Sequence, residues 1–475
     1  MESQNVTNNG TQSVQKSVRQ TNLNHSRGAS VFENQIKNNV SKGNFPIRVL
    51  PTVKTSYSSD SVNYRDPNVD YLLKKLFNFS NVMFDFGELE KIKFEELVDK
   101  LHKPVTRRRY LSGLRYPQIH SNKSWLQFQR NIHQTALYDP METDIKNLLH
   151  DITKQRIVRT KLKSGGTQIK LLISFQNGGS ALFKPMRFAR EVETIPDHYY
   201  FSDYERHHAE IAAFHLDWVM GFYRVPPTAG RTINMTSEIL NVAEKKLRRK
   251  FFKSPVGNLC FYGDCEYYCD AEHAICGKPD LIEGSFATFL PSLDEADRVS
   301  WLNPWRRSYS KYKKASWETN SDYCEGVKQE AIYKNNRRLV ELIDMHIFDF
   351  LIGNMDRHHY QTYSEFGNNT FYVHYDNGRG FGKTKHDELS ILAPLYQCCQ
   401  LSYETFLKLV KLYTGPRRLS DIMRRSLAKD SLNPILTESH LFALDRRVIK
   451  ILKEVNKCIR KGNHIRDVII HKHFE

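Results

Sequence analysis

The stretch NMDRHHYQ at 354–361 sets an aspartate, Asp356, beside two histidines. FYVHY then leads into DNGRGFG at 376–382, where Asp376 opens a glycine-rich turn. His358 and His359 are adjacent, so on a strand or loop they point to opposite sides and make a poor chelate. An aspartate that accepts a proton from an incoming hydroxyl is the better use of Asp356. The bland alternative is that Arg357 neutralises Asp356 as a structural pair. FYVHY alternates like a strand, so Asp376 is expected at a strand end. A carboxylate there suits a hard cation such as Mg²⁺ or Mn²⁺ bridging phosphates, although a turn aspartate can equally cap its own backbone. Gly378, Gly380 and Gly382 imply backbone that bends sharply or approaches a ligand closely.

The pair of aspartates says more than either half. A base-loop aspartate, a strand, then an aspartate before glycine is the order of protein-kinase-like phosphoryl transfer. In that order the amide five places after the base holds a second metal, and Gln361 stands there. A strand lysine must hold phosphates; Lys184 in ALFKPMR and Lys170 in QIKLLIS both fit, though a strand lysine is commonly a surface residue. An acid near that lysine is needed, and Glu205 answers, read as lying in the first turn of a helix, where the helix dipole also favours it. The short apolar stretch Ala287, Thr288, Phe289 and Leu290 would be the hinge that meets adenine.

These residues require particular elements to position them. SGGTQIKLLISFQNGGSALFKPMR predicts two strands joined by a glycine turn, and GSFATFLPSL (284–293) a short strand ended by proline. DYERHHAEIAAFHLDWVM (203–220) predicts a helix with Ile211, Phe214, His215 and Val219 along one face. RRLVELIDMHIFDFLIGN (337–354) predicts a buried helix that delivers the loop carrying Asp356. LSYETFLKLVKLY and LFALDRRVIKILKEV extend a helical C-terminal third, so strands dominate before about residue 290 and helices after it. Residues 1–65, rich in Asn, Ser, Gln and Thr without a period, read as a flexible stem or linker.

At 475 residues, 40% hydrophobic and 12% aromatic, the chain belongs with folded proteins large enough for two lobes or domains. No run of eighteen apolar residues occurs, so no membrane span is expected, and MESQNVTNNG lacks the apolar core of a signal peptide. The chain is therefore cytosolic, or a mature or trimmed form. Eight cysteines favour the second, four of them in CFYGDCEYYCDAEHAIC, whose spacing lacks the paired knuckles of structural zinc. Asn78, Asn122, Asn234 and Asn368 each head an Asn-x-Ser/Thr glycosylation triplet. The formal charge of +17 collects at Arg107–Arg109, KKLRRKFFK and RRSYSKYKK. Solvated faces, nucleic acid, or acidic protein and sulfated glycan partners would each account for it.

GNMDRHHY, the DNGRGFG turn, SDYERHHAEIAAFHLD, the cysteine cluster and HDELSILAPLYQCC together resemble the secretory-pathway (Golgi) casein kinases, the "family with sequence similarity twenty". The resemblance runs in unbroken order over roughly residues 160–460 and is strongest to the protein-kinase branch, member C. The glycan-directed branch usually has a glycine-poor turn after the metal aspartate. It implies an α+β, atypical protein-kinase-like two-lobed fold, strand-rich then helical and disulfide-stabilised. Residues 66–286 would form the N-lobe with an N-terminal extension and cysteine-rich insertion, and 287–475 the hinge and C-lobe. It implies ATP and Mn²⁺ (Mg²⁺ as the alternative), with Asp356 as base and Asp376 and Glu205 as metal ligands. Gln168, Lys170, Lys184, Glu205, Ala287 to Leu290, Gln361 and Asp376 would bind nucleotide. It also implies four disulfides, Cys260–Cys276, Cys265–Cys269, Cys324–Cys398 and Cys399–Cys458. The implied activity is transfer of the ATP γ-phosphate to serine in S-x-E/pS motifs of acidic secreted proteins, in the Golgi lumen and outside the cell, without nucleic acid as partner. Two other readings stay open: a xylosylkinase acting on the proteoglycan linkage, and a pseudokinase-like activator of a partner kinase. A homodimer, or a heterodimer with the pseudokinase paralogue, is expected. That paralogue has glutamine in place of Glu205, whereas the family commonly has glutamate in place of Gln361.

Overall fold

Alternating, β-branched residues in IVRTKL, LLISF and SALFKP form three successive strands, β1 (Ile157–Leu162), β2 (Leu171–Phe175) and β3 (Ser180–Pro185). A computed structural model describes residues 65–77, 109–112, 114, 123–139, 143–334, 337–368, 370–462 and 464–470. β2 and β3 pair antiparallel around the Gly178–Gly179 turn. With β4 (Thr228–Asn234) and β5 (Leu281–Thr288) they make a five-stranded antiparallel sheet in the order β1-β2-β3-β5-β4. Register places Lys184 opposite Ser285 and Ala287 between Leu182 and Thr228, so the lysine and the hinge leave one sheet side by side.

Helix α1 (Pro67–Phe77) precedes the sheet in sequence yet packs elsewhere. Lys453 pairs with Asp66 at 2.5 Å and Asn456 donates to the Asn68 carbonyl, both from α5 (Glu438–Arg460). Helix α2 (His207–Met220) lies against β4 and β5 and ends on Gly221 at φ 79°, a left-handed C-terminal stop. Burial covers almost its whole circumference, so the single face expected from Ile211, Phe214 and Val219 is only part of what it buries. Helix α3 (Arg337–Ile352) is buried at every residue after the first and stops at Gly353, φ 76°. It packs on α5, and α5 on α4 (Tyr403–Thr414). β6 (Arg298–Leu302) and β7 (His359–Tyr363), far apart in sequence, pair antiparallel as a separate two-stranded sheet. One hydrophobic cluster runs through the sheet-rich and helix-rich parts.

Two expectations about local structure need correction. Glu205 stands before α2, whose N-cap is Arg206, so the first-turn acid is Glu210. FYVHY forms no regular strand; a single bridge joins Val373 to Gln361. Phe371, Tyr372, Val373 and His374 are all buried, with Tyr372 stacked on Tyr360 at 4.1 Å. Enclosure on both sides removes the exposed ladder that alternation would have served.

The cysteines lie as the pairs Cys260–Cys276, Cys265–Cys269, Cys324–Cys398 and Cys399–Cys458, and none is free. Among the described residues no helix is long and apolar enough to cross a membrane. Asn78 and Asn122 lie outside the described residues. Asn234 caps a helical turn, accepting from Ser237 N at 2.8 Å while donating to Asp280 at 2.9 Å, whereas Asn368 is exposed.

Candidate active site

Lys184 emerges from β3 with its side chain 8% exposed, where a bare ammonium would be costly. Three carboxylates surround it: Nζ lies 2.5 Å from Glu210 Oε1, 2.7 Å from Asp376 Oδ1 and 2.8 Å from Glu205 Oε2. Burial opposes the ammonium, but Asp376, Glu205 and Glu210 outweigh it and raise Lys184 well above its ordinary pKa. In return the Lys184 ammonium, with help from Lys170 and Arg357, holds the half-exposed Asp376 carboxyl well below the usual range. Three negative charges face one positive charge, so the group is short of cation. Sequence reasoning missed Glu210. The signal was a charged residue inside the apolar run AEIAAF, which needs a buried partner. Glu210 Oε1 also accepts from Asn377 N at 3.0 Å, which locks the glycine-rich turn to α2.

Asp376 itself carries the left-handed backbone, φ 61°, and Phe381 repeats it at φ 53°; the three glycines do not. They are required instead by close approach to the protein's own side chains. A Cβ on Gly378 would stand 2.9 Å from Glu205 Cβ, and one on Gly382 would stand 2.4 Å from Thr194 Oγ1. Packing of the turn against Glu205 and Thr194 therefore accounts for the lack of a side chain at Gly378 and Gly382.

Asp356 follows Gly353 in a loop shaped by Asn354, whose Oδ1 accepts from Asp356 N at 3.0 Å. Arg357 does not neutralise its neighbour. It donates to Asp349 at 2.8 and 2.9 Å, to Asn377 Oδ1 at 2.7 Å and to the Tyr375 carbonyl, tying the loop to the turn. The partner of Asp356 Oδ2 is Arg379. Asp356 Oδ1 is buried and accepts no hydrogen bond among the described residues, though His358 Nδ1 stands 3.3 Å from it. His358 Nδ1 is 2.8 Å from the Asp356 carbonyl oxygen, and burial weakens both His358 and His359 as bases. Among the described residues, no group of three or more His, Cys, Asp or Glu could hold a metal ion by itself.

Between the sheet and these loops lies a cleft of about 310 Å³. Lys170, Lys184, Asp376, Gln361 and the run Ala287, Thr288, Phe289 and Leu290 line it, joined by Lys163, Glu210 and Arg298, which sequence reasoning did not single out. Thr288 Oγ1 is buried there without a hydrogen-bond partner among the described residues. Gln361 Oε1 accepts from Arg298 at 3.3 Å and Nε2 donates to Ser300 at 3.1 Å, so its amide is anchored to β6. Gln168 is buried and lies outside the lining, and Glu205 touches the cleft through Lys184. Asp356 lines a smaller neighbouring pocket with Arg379, Lys383 and His386.

Comparison with known proteins places these residues in context. A family model described as "Fam20C: Golgi casein kinase, C-terminal, Fam20" matches residues 123–467. The human "Extracellular serine/threonine protein kinase FAM20C" is 57% identical over 348 residues, covering 73% of this chain and 60% of that protein. The chain thus spans less than two thirds of that relative's length. The human "Pseudokinase FAM20A" is 46% identical over 380 residues, covering 76% and 70% of the two chains. A crystal structure of the Golgi casein kinase with Mn/ADP bound aligns with TM-score 0.76 and 39% identity, over 88% of this chain and 97% of that one.

Proposed function

Because the chain belongs to the Golgi casein kinase (Fam20) family, we propose that it is a secretory-pathway serine/threonine protein kinase that moves the γ-phosphate of ATP to serine. The observation that carries this reading is Lys184 enclosed by Glu205, Glu210 and Asp376 at 2.5 to 2.8 Å. One ammonium can hold phosphate oxygens, and the surplus negative charge fits a divalent cation. Mn²⁺, when bound with nucleotide, would neutralise charge on the phosphates, with Glu205 and Asp376 as its protein ligands.

The remaining roles belong to the chain. Ala287 to Leu290 and the unpartnered Thr288 hydroxyl form the wall against which adenine packs. Lys170 and Lys163 add positive charge on the phosphate side. Gln361, fixed on Arg298, contributes an amide to the lining rather than a charge. Asp356 Oδ1, which Arg379 does not hold and beside which His358 Nδ1 stands at 3.3 Å, accepts the proton of the incoming serine hydroxyl as its oxygen attacks phosphorus. The charge of +17 supports acidic substrates, serine followed two residues later by glutamate or phosphoserine. The secretory pathway is supported by the four cysteine pairs, which persist in oxidising compartments.

The test offers purified protein Mn²⁺ and labelled ATP with casein or with a galactosyl-xyloside. Label in casein that Asp376→Ala and Asp356→Asn abolish is the expected result. Label confined to the sugar would replace the proposal with a xylosylkinase, and nucleotide binding without transfer would replace it with an activator scaffold.

A further inference from the structure

Arg379 touches both sides of the reaction just proposed. From Nη1 it pairs with Asp356 Oδ2, and from Nη2 it donates to Thr167 Oγ1 at 3.0 Å. The Thr167 hydroxyl in turn donates to Glu205 Oε1 at 3.3 Å. The guanidinium thus lies between the residue assigned to the acceptor hydroxyl and a residue assigned to the metal and its phosphates. Arg379 is 7% exposed and its guanidinium sits over the Phe201 ring, 5.3 Å from the centroid. Its Nε is buried and has no hydrogen-bond partner among the described residues. A guanidinium presents its donors in a rigid fork suited to phosphate oxygens, and this one has a buried donor left to offer an anion beside Asp356.

Among the described residues, none of the neighbouring cations that hold other groups bridges Asp356 and the metal side as Arg379 does. Arg357 is turned to Asp349, Asn377 and the Tyr375 carbonyl, and Lys184 is enclosed by its three carboxylates. The turn is also pressed into place, since a Cβ on Gly378 would meet Glu205 at 2.9 Å.

We propose, resting on the kinase reading, that Arg379 is a catalytic residue that binds the phosphoryl group during transfer, an arginine finger supplied by the chain's own glycine-rich turn. As the bond from the γ-phosphorus to the ADP oxygen breaks and the bond to the serine oxygen forms, negative charge spreads over the three transferring oxygens. The serine proton passes to Asp356, whose own negative charge falls as the proton arrives. Arg379 then shifts its hydrogen bonding from Asp356 toward the phosphoryl oxygens. In the resting state the same pair holds Oδ2, so Oδ1, with His358 Nδ1 3.3 Å away, is the oxygen that meets the hydroxyl.

The experiment compares wild type with Arg379→Ala and Arg379→Lys, using casein, ATP and Mn²⁺. Arg379→Ala is expected to lower kcat by about a thousandfold, in the range of arginine-finger losses, while KM for ATP stays within about threefold. Added methylguanidinium should restore part of kcat in the alanine variant and nothing in wild type, a response that a merely structural role would not give. Arg379→Lys keeps the charge and loses the fork; it is expected to lose at least tenfold in kcat with an unchanged melting temperature, and it carries the test if the alanine variant does not fold. Wild-type activity with either variant retaining kcat within threefold overturns the role of Arg379 alone. A loss that appears wholly in KM also overturns it. Absence of transfer by wild type to casein overturns the kinase reading along with it.

Discussion

Replacing Lys184 by methionine would leave Glu205, Glu210 and Asp376 facing one another without the ammonium they share at 2.5 to 2.8 Å. Lys184, Glu205 and Glu210 are each only 8% exposed, so water relieves little of the repulsion among the glutamates; Asp376, at 49%, is partly relieved. Removing one partner of a buried ion pair costs about 3–5 kcal/mol, because the remaining charge stays buried. Unfolding entropy of about 2.1 cal/mol/K per residue, over a folded unit of roughly 400 residues, gives about 0.85 kcal/mol per degree. Metal-free Lys184→Met should therefore melt about 5 °C below wild type. Mn²⁺ can take the place of the lost ammonium, and a ligand at a hundred times its Kd adds about 2.7 kcal/mol. Mn²⁺ without nucleotide should then recover about 3 °C in the variant and little in wild type, where the ammonium already stands among the carboxylates. Calorimetry with and without Mn²⁺ reads this directly. A variant that melts within 1 °C of wild type, or an equal Mn²⁺ shift in the two proteins, would refute the charge argument for the site.

Other outcomes follow from single contacts. Gly378→Ala meets no left-handed backbone but sets a Cβ 2.9 Å from Glu205 Cβ and 3.3 Å from Glu210 Oε1. It should cost about 1–3 kcal/mol as overpacking and lower the casein labelling of the proposed reaction more than tenfold, measured beside a thermal melt. Glu283 is pushed down to about 2 from an ordinary 4.5 by its bond to His207, against burial and aided by Arg190. Its folded pKa is depressed, so its stabilisation is present above about pH 4.5 and lost as pH falls toward 2. Glu283→Gln should flatten the acid limb of denaturation in that window; an unchanged limb removes Glu283 as its cause. Opening Cys324–Cys398, which spans 74 residues, by a double serine substitution should cost about 4.5 kcal/mol on the chain-entropy argument, seen as a lower denaturant midpoint.

Local pattern was enough to place the elements that carry the chemistry. The alternation around Gly178–Gly179 predicted the β2–β3 hairpin, and the apolar run before Gly353 predicted a buried helix ending at the Asp356 loop. Hydrophobic periodicity and glycine stops are properties of neighbouring residues, so they can be read along the chain. FYVHY failed for the complementary reason: its alternation promised one exposed face, and β7 and α3 packed against it buried both.

Charge partners were the other limit. Sequence order put Asp356 and Asp376 in the spacing of phosphoryl transfer and offered Lys184 and Glu205 as companions. It also offered Arg357 to Asp356, because the two are adjacent. Tertiary structure instead turned Arg357 to Asp349, brought Arg379 from 23 residues away onto Asp356, and joined Lys184 to Asp376 across 192 residues. Glu210 entered the site only when α2 packed against the sheet. Coulombic attraction acts through space and is strongest where burial excludes water. The residue types a kinase site needs were therefore set by the sequence, while which cation serves which carboxylate was decided when sheet, helix and turn closed on one cleft.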